Sequence, residues 1–460
     1  MDLPRDVLAW VAGLAGGEVR GARLDSSSGR HLSYALDVES KNQPLLLRLS
    51  EHPASFGDLE REAEILRALK KIGVSVPHVW GISKAHNALL VERLEGVLWV
   101  QEPDDPDQRT AVARDYVANL ALWHRTPAAE LDLPSFQPIK PVKEHQSDHL
   151  KGIRATFEEE DRKSPIDAIA LATLDYLERK IPDYRGAAVL CQGDNGPANF
   201  IYKNQKVVGV IGWEDAHLGD PMDDIAWFSG RAAYHGFPDF TQRLREYEEL
   251  SGIKIAPDRV CYYRVNACAR MGPWFGLADM GQAAERRRKS PSPSADEDLA
   301  ADGSEMIMSI LHRRMRLEAL GAALGMTLPS RAVTEAPYEH EHAPLYENML
   351  CQLRTMTPSV SDERASNLVK GLARQIKYLK EVDRFFVQFA RQEMIDIARL
   401  LGRKFNALDD ARVHLAKAAR EGKVTFEGYF LYHWNRMVRD DYMMREASGR
   451  IYQRSWPALK

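Results

Sequence analysis

Residues 187–228, AAVLCQGDNGPANFIYKNQKVVGVIGWEDAHLGDPMDDIAWF, constrain the fold of this 460-residue chain more than any other stretch. An apolar run reaches Cys191, a polar loop GDNGPAN follows, and Val207, Val208, Val210 and Ile211 form a second apolar run. Residues 203–205 supply turn chemistry between the strands on either side. The pattern predicts a β-hairpin with antiparallel pairing, set between helical segments, and not a doubly wound parallel sheet.

The remainder divides into regions of different period. Residues 4–14 read as a short amphipathic helix. GARLDSSSGRH, LSYALDVES and QPLLLRLSE read as strands bounded by turn residues. FGDLEREAEILRALKKIG reads as a helix with Leu59, Ala63, Leu66 and Leu69 on one face, closed by Gly73. HVWGIS and NALLVERLEG add two more strands, and from Asp107 the chain turns helical. Glu285 to Gly303 mixes a basic run, Ser-Pro steps and an acidic run, and is expected to form a loop. A second Pro-rich join spans about Leu328 to Pro344. Beyond it, Leu368, Leu372, Ile376, Leu379, Val382, Phe386 and Phe389 recur at steps of three and four, which predicts one buried helix face.

Bulk properties narrow the function classes. With 44% hydrophobic and 28% charged residues, the composition is that of a soluble globular chain of two or three domains. A net charge of −4 argues against general nucleic-acid binding, and no apolar run approaches the ~18 residues a membrane span needs. The N-terminus lacks a basic leader. The cysteines Cys191, Cys261, Cys268 and Cys351 form no CxxC pair, which fits a reducing cytoplasm.

Asp194 and Asn199 stand five apart in the central loop. Kinase catalytic loops use this spacing because the Asp must accept a hydrogen bond from the attacking hydroxyl while the Asn reaches a metal on the phosphates. Spacing alone favours an ordinary hairpin loop, since Asp and Asn are common in turns. The surrounding order is more specific. Gly193, Asp194, Asn199, Trp213, Glu214, Gly219, Asp220, Pro221, Asp224 and Ala226 follow one another as in the signature of the aminoglycoside phosphotransferase family, which this chain resembles over about residues 20–325.

That resemblance implies an α+β, two-lobed protein-kinase-like fold. A small β-rich nucleotide-binding lobe would span 1–95 and a larger helical lobe 96–330; the purely helical pattern behind them predicts an all-α C-terminal domain, 331–460. It implies ATP and Mg²⁺ as cofactors. Asp194 would be catalytic, with Gln192 in place of the family's loop histidine, where an amide can still bond to backbone. Arg48 would hold phosphates and Glu62 would hold Arg48; as bare residues, the two read as a surface ion pair. Ser27 and Ser28 would lie over the phosphates in place of the usual paired glycines. Glu92 and Leu94, in VERLEG, match the adenine hinge, Val76 and Pro77 the preceding turn, and Leu122 and His124 the Leu-His element.

Asn199 would ligate metal. The family's principal metal Asp is here Gly212, which removes an oxygen from a cation that demands near-octahedral oxygen ligation. Glu214 and Asp215 are the candidate replacements, Glu214 first: on a strand it shares the side of residue 212 at a different depth, while Asp215 faces the other side. The segment LREYEELSGIKIAPDRVCYYRVNACARMGPWFG is similar to the family branch found beside acyl-CoA dehydrogenases. The expected activity is ATP-dependent phosphorylation of a small-molecule hydroxyl, such as a hydroxyacyl-CoA or another apolar alcohol. The alternative is a pseudokinase scaffold, acting through the helical C-terminal region as a homo-oligomer or with a protein partner. The basic run from Arg286 to Lys289 could attract a phosphate-bearing substrate, or be a solvated loop. Glu339, His340, Glu341 and His342 read as a solvated turn before a metal site. Cys191 reads as a packing residue.

Overall fold

The computed structural model describes residues 3–28, 31–39, 44–50, 56–273, 295–338 and 341–460, with side chains at all of these except 26–28, 56, 295–305 and 363–364. The chain folds into two interleaved compact units. One comprises Met1–Asp148, Ile181–Arg264 and Pro457–Lys460; the other comprises His149–Lys180 and Val265–Trp456.

In the first unit, helix α1 (Arg5–Ala15) buries Val7 and Val11 beneath a sheet. The sheet holds β1 (Val19–Ser28), β2 (His31–Val38), β3 (Leu45–Ser50), β4 (Val79–Ser83) and β5 (Ala88–Glu92), in the order β1-β2-β3-β5-β4 with every pair antiparallel. Its inward residues, including Tyr34, Leu36, Leu45, Leu47 and Leu90, alternate along the strands as a half-buried sheet requires. Between β3 and β4 runs α2 (Phe56–Lys71), whose Leu59, Ala63, Leu66 and Leu69 are all buried; Gly73, at φ +90°, stops it.

After β6 (Val97–Leu98), α3 (Pro106–His124) starts on Asp105, whose carboxylate accepts from Asp107 N at 3.0 Å. Helices α4 (Val142–Lys163) and α5 (Ala168–Arg179) precede β7 (Val189–Cys191). The expected hairpin is β8 (Phe200–Lys203) and β9 (Lys206–Val210), antiparallel. Asn204 and Gln205 join them with φ +49° and +65°, the double left-handed turn whose twist suits a two-residue hairpin. After β10 (His217–Gly219), α6 (Pro221–His235) is capped by Asp220, which accepts from Met222 N at 3.0 Å, with Pro221 in the first turn. Helices α7 (Phe240–Ser251) and α8 (Pro257–Arg270) follow.

The remaining described helices are α9 (Ala295–Ala323), α10 (Ala343–Met356), α11 (Glu363–Leu401), α12 (Leu408–Arg420) and α13 (Phe426–Ser448). In the second unit, Arg314 of α9 is buried and engaged through both terminal nitrogens. It pairs with Asp441 at 2.8 Å and donates to the carbonyls of Ile451, Tyr452 and Arg454.

Two expectations are corrected. Residues 295–303, expected as loop, belong to α9. Ala, Leu and Glu are good helix formers, and the residues Asp296, Glu297 and Asp298 open the helix, where its dipole favours negative charge. On α11 the buried face is also rotated from the expected one. Glu381, Phe385, Phe389, Glu393 and Ile397 are buried, whereas Leu372, Leu379 and Phe386 are exposed. Reading apolar period alone missed it because two buried positions are glutamates, neutralised by Arg384, Arg445 and Arg412.

The fold is thus the two-lobed kinase-like class, with a small antiparallel sheet followed by a helical remainder and an all-helical C-terminal region. Among the described residues no helix is long and apolar enough to cross a membrane. Ser27 and Ser28 close β1 opposite Leu32 and His31. Their side chains, like residues 286–289, Glu339 and His340, lie outside the described residues. Glu341 and His342 are exposed, and no cluster of three metal-binding side chains occurs among the described residues.

Candidate active site

The loop after β7 is fixed by one buried carboxylate. Asp224, in the first turn of α6, accepts from Gln192 N at 2.9 Å and from Gly193 N at 3.0 Å, and lies 3.1 Å from His124 Nε2. Tyr247 OH meets the other ring nitrogen of His124 at 2.9 Å. Gln192 Nε2 donates to the backbone carbonyls of Ile211 and Gly212, beyond the end of β9 and outside its own loop. Cys191 is buried, with Sγ 3.5 Å from Asp220 O, a packing position.

Asp194, the one carboxylate of this loop, accepts from three residues. Arg231 Nε donates to its Oδ1 at 2.8 Å, and Arg231 Nη2 reaches both oxygens. Trp227 Nε1 also donates to Oδ1, and Asn199 Nδ2 to Oδ2 at 2.8 Å. Trp227 and Arg231 were not singled out from sequence. The signal was available: Asp224, Trp227 and Arg231 stand at i, i+3 and i+7 after the Asp220-Pro221 cap, so all three lie on one face of α6.

Across the site, Arg48 of β3 is buried and bonded through Nη1 to Glu62 of α2, and through Nη2 to Glu214 at 2.7 Å. Burial disfavours the Arg48 charge, but the two glutamates outweigh it and raise its pKa. Glu62 is fully buried, and desolvation lifts its carboxyl above the usual range despite Arg48. Glu214 is more open; burial works against its charge, yet Arg48 holds its pKa below the ordinary value.

Glu214 does not share a strand face with residue 212, because β9 ends at Val210 and the chain turns. Gly212 has φ +75°, and a Cβ there would lie 3.0 Å from Asn199 Cγ and Oδ1. Glycine suits this spot on both counts.

Arg48, Glu62, Glu92, Leu94, Asn199 and Glu214 line one cavity of about 580 Å³, with Val91, Ile201 and Ile211 among its apolar walls. The hinge amides of Glu92 and Arg93 bond back to His78 O and Pro44 O, both at 2.8 Å. A cavity with apolar walls and a buried guanidinium fits a nucleotide's base and phosphates. The oxygen set does not fit a hard divalent cation. Glu214 is engaged by Arg48 and Asp194 by Arg231, leaving the Asn199 amide oxygen beside Gly212 and the Asp215 carboxylate on the cavity wall, too few for near-octahedral ligation.

The structure thus brings together the strand Arg48, the helix Glu62, the Glu92–Leu94 segment and Asn199 around one cavity, in a kinase-like fold. Residues 26–261 match the model of the phosphotransferase enzyme family, and the chain belongs to that family. It is 25% identical over 293 residues to acyl-CoA dehydrogenase family member 10 of Mus musculus, a match covering 59% of this chain and 26% of that protein. The chain therefore spans only about a quarter of that relative's length. A solved structure from Ralstonia eutropha, assigned as an aminoglycoside phosphotransferase, superposes with a TM-score of 0.51 at 16% identity, covering 70% of this chain and 98% of that one. At that identity the likeness bears on fold alone.

Proposed function

We propose that this chain transfers a phosphoryl group from ATP to a hydroxyl of a small molecule. The observation that carries this reading is Asp194, an anchored carboxylate in a loop whose backbone is itself held by Asp224. Asp194 would accept the hydrogen bond of the acceptor hydroxyl. Its pairing with Arg231 fixes the orientation of the carboxylate, which suits a loose transfer in which positioning counts for more than proton abstraction. Arg48 would hold phosphate oxygens, with Glu62 fixing the guanidinium and Glu214 releasing it as phosphate arrives. Glu92 and Leu94 would frame the base. Ser27 and Ser28 would stand at the phosphate end. No step is assigned to Mg²⁺, because the oxygen set around Gly212 does not fit it. The similarity to acyl-CoA dehydrogenase family member 10 favours a hydroxyacyl-CoA or another apolar alcohol as acceptor.

The second reading is a nucleotide-binding pseudokinase, and one observation favours it: the metal position is Gly212 and the nearby carboxylates are held by arginines. The test is ADP formation from ATP with Mg²⁺ over a panel of 3-hydroxyacyl-CoAs and long-chain alcohols, alongside calorimetric nucleotide binding. Acceptor-dependent turnover abolished by Asp194→Asn supports the enzyme. Nucleotide binding with no turnover on any acceptor supports the scaffold.

A further inference from the structure

Helix α11 leaves Leu372, Leu379 and Phe386 about half exposed, at 49%, 50% and 46%. They recur every seventh residue, so they form one nearly straight stripe on a helix. On α10, Leu345, Met349 and Met356 are exposed at 58%, 38% and 53%, and their steps of four and seven place them on one stripe too.

Two contacts set the helices antiparallel and in register. Tyr346 OH donates to Asp383 Oδ2 at 2.6 Å, and Lys380 Nζ pairs with Glu347 at 3.1 Å. The same register brings Met349 level with Leu379, Met356 level with Leu372, and Leu345 within a turn of Phe386. The Tyr346–Asp383 contact lies on the stripe side of each helix, and Glu347–Lys380 on the far side. Both stripes therefore share one face of the helix pair.

We infer that this face binds a second copy of this chain, with the two α11 helices antiparallel about a two-fold axis at Leu379. The heptad spacing calls for a helix as partner, and the face is complementary to itself. With Leu379 on the axis, Leu372 meets the partner's Phe386, Ile376 meets the partner's Val382, and Gln375 meets the partner's Asp383. A large ring faces a smaller side chain, an amide faces a carboxylate, and no like charges oppose. Half of six large side chains removes on the order of 500 Å² per copy, most of the roughly 800 Å² per partner in a standard interface, with the polar rim supplying the rest. Two such helix pairs stacked face to face make a four-helix layer.

The test uses the full chain. Sedimentation equilibrium from about 1 to 100 μM, the range in which interfaces of this size associate, is expected to give twice the 52.0 kDa monomer. Leu379→Glu places two carboxylates on the axis and should weaken association at least ~100-fold while leaving the circular dichroism spectrum unchanged. In a Cys351→Ser background, Leu379→Cys should form a disulfide-linked dimer under mild oxidation, and Arg391→Cys, off the stripe, should not. A wild-type chain that stays monomeric at 100 μM overturns the inference, and an unrelated partner then covers the face. A dimer that survives Leu379→Glu, or a Leu379→Cys chain that stays uncrosslinked, overturns it equally.

Discussion

Arg231 holds Asp194 through both carboxylate oxygens, with Nε 2.8 Å from Oδ1. The orientation of the candidate catalytic carboxylate is therefore set by a helix, through a planar fork that lysine cannot reproduce. Arg231→Ala should lower kcat by at least ~10-fold and leave KM for ATP within about 3-fold, since the nucleotide cavity is untouched. Arg231→Lys should recover only part of the loss. Equal kcat in all three forms would remove Arg231 from the mechanism.

Asp194→Asn should reduce turnover by ~10²–10⁴, the range for losing a positioned base. Calorimetry should find ATP affinity nearly unchanged. A matching loss of affinity would instead mean that Asp194 shapes the nucleotide cavity.

Gly212→Asp tests the metal position under a constraint that the sequence did not reveal. At φ +75° an aspartate is tolerated better than most residues, but Asn199 must shift by a few tenths of an ångström to clear its Cβ. The variant should melt slightly below wild type and bind ATP more tightly in Mg²⁺ than in EDTA, by at least ~10-fold if the new carboxylate ligates. Gly212→Val should lose stability with no gain in binding.

Removing Arg48 leaves Glu62 buried without its partner. Breaking such a pair costs about 3–5 kcal/mol, so Arg48→Ala should lower the urea midpoint clearly and weaken ATP binding together. The double variant Arg48→Met, Glu62→Leu should regain stability but not binding, which separates the two roles.

Burial pushes the Asp220 carboxyl up to about 6, above its usual 3.8, despite Arg259 and the Met222 amide. Folding thus favours its protonated form. Its contribution is fully present below about pH 4 and is lost as pH rises through about 6, a swing of about 3 kcal/mol. Asp220→Asn should flatten that component: the gap between variant and wild-type unfolding free energies should widen in the variant's favour from pH 4 to pH 7. A gap that stays constant would place Asp220 among the ordinary carboxylates.

How much was legible follows from what each signal depends on. Leu59, Ala63, Leu66 and Leu69 were readable because one helix packs one face on one sheet. The β8–β9 hairpin was readable from two apolar runs about a short polar turn. The Arg48–Glu62 pair came from the resemblance, since an Arg and a Glu fourteen residues apart carry no spacing signal of their own. The α11 face was misread because its core includes Glu381 and Glu393, whose arginine partners lie partly on other helices. Glu214 was aimed at the wrong neighbour because the chain leaves β-geometry at Ile211, a bend that only the backbone of Gly212 reveals.

The interleaving of the two units has a consequence for handling the gene. The polypeptide crosses from one unit to the other after Asp148, Lys180, Arg264 and Trp456, so neither unit is a continuous stretch. A stop codon in the Pro-rich join after Leu328 would excise Asp441 and the carbonyls of residues 451, 452 and 454, stranding Arg314 as a bare buried cation. On a ribosome, the second unit cannot close until residues 451–454 have emerged, so premature release yields a chaperone substrate instead of a smaller working protein.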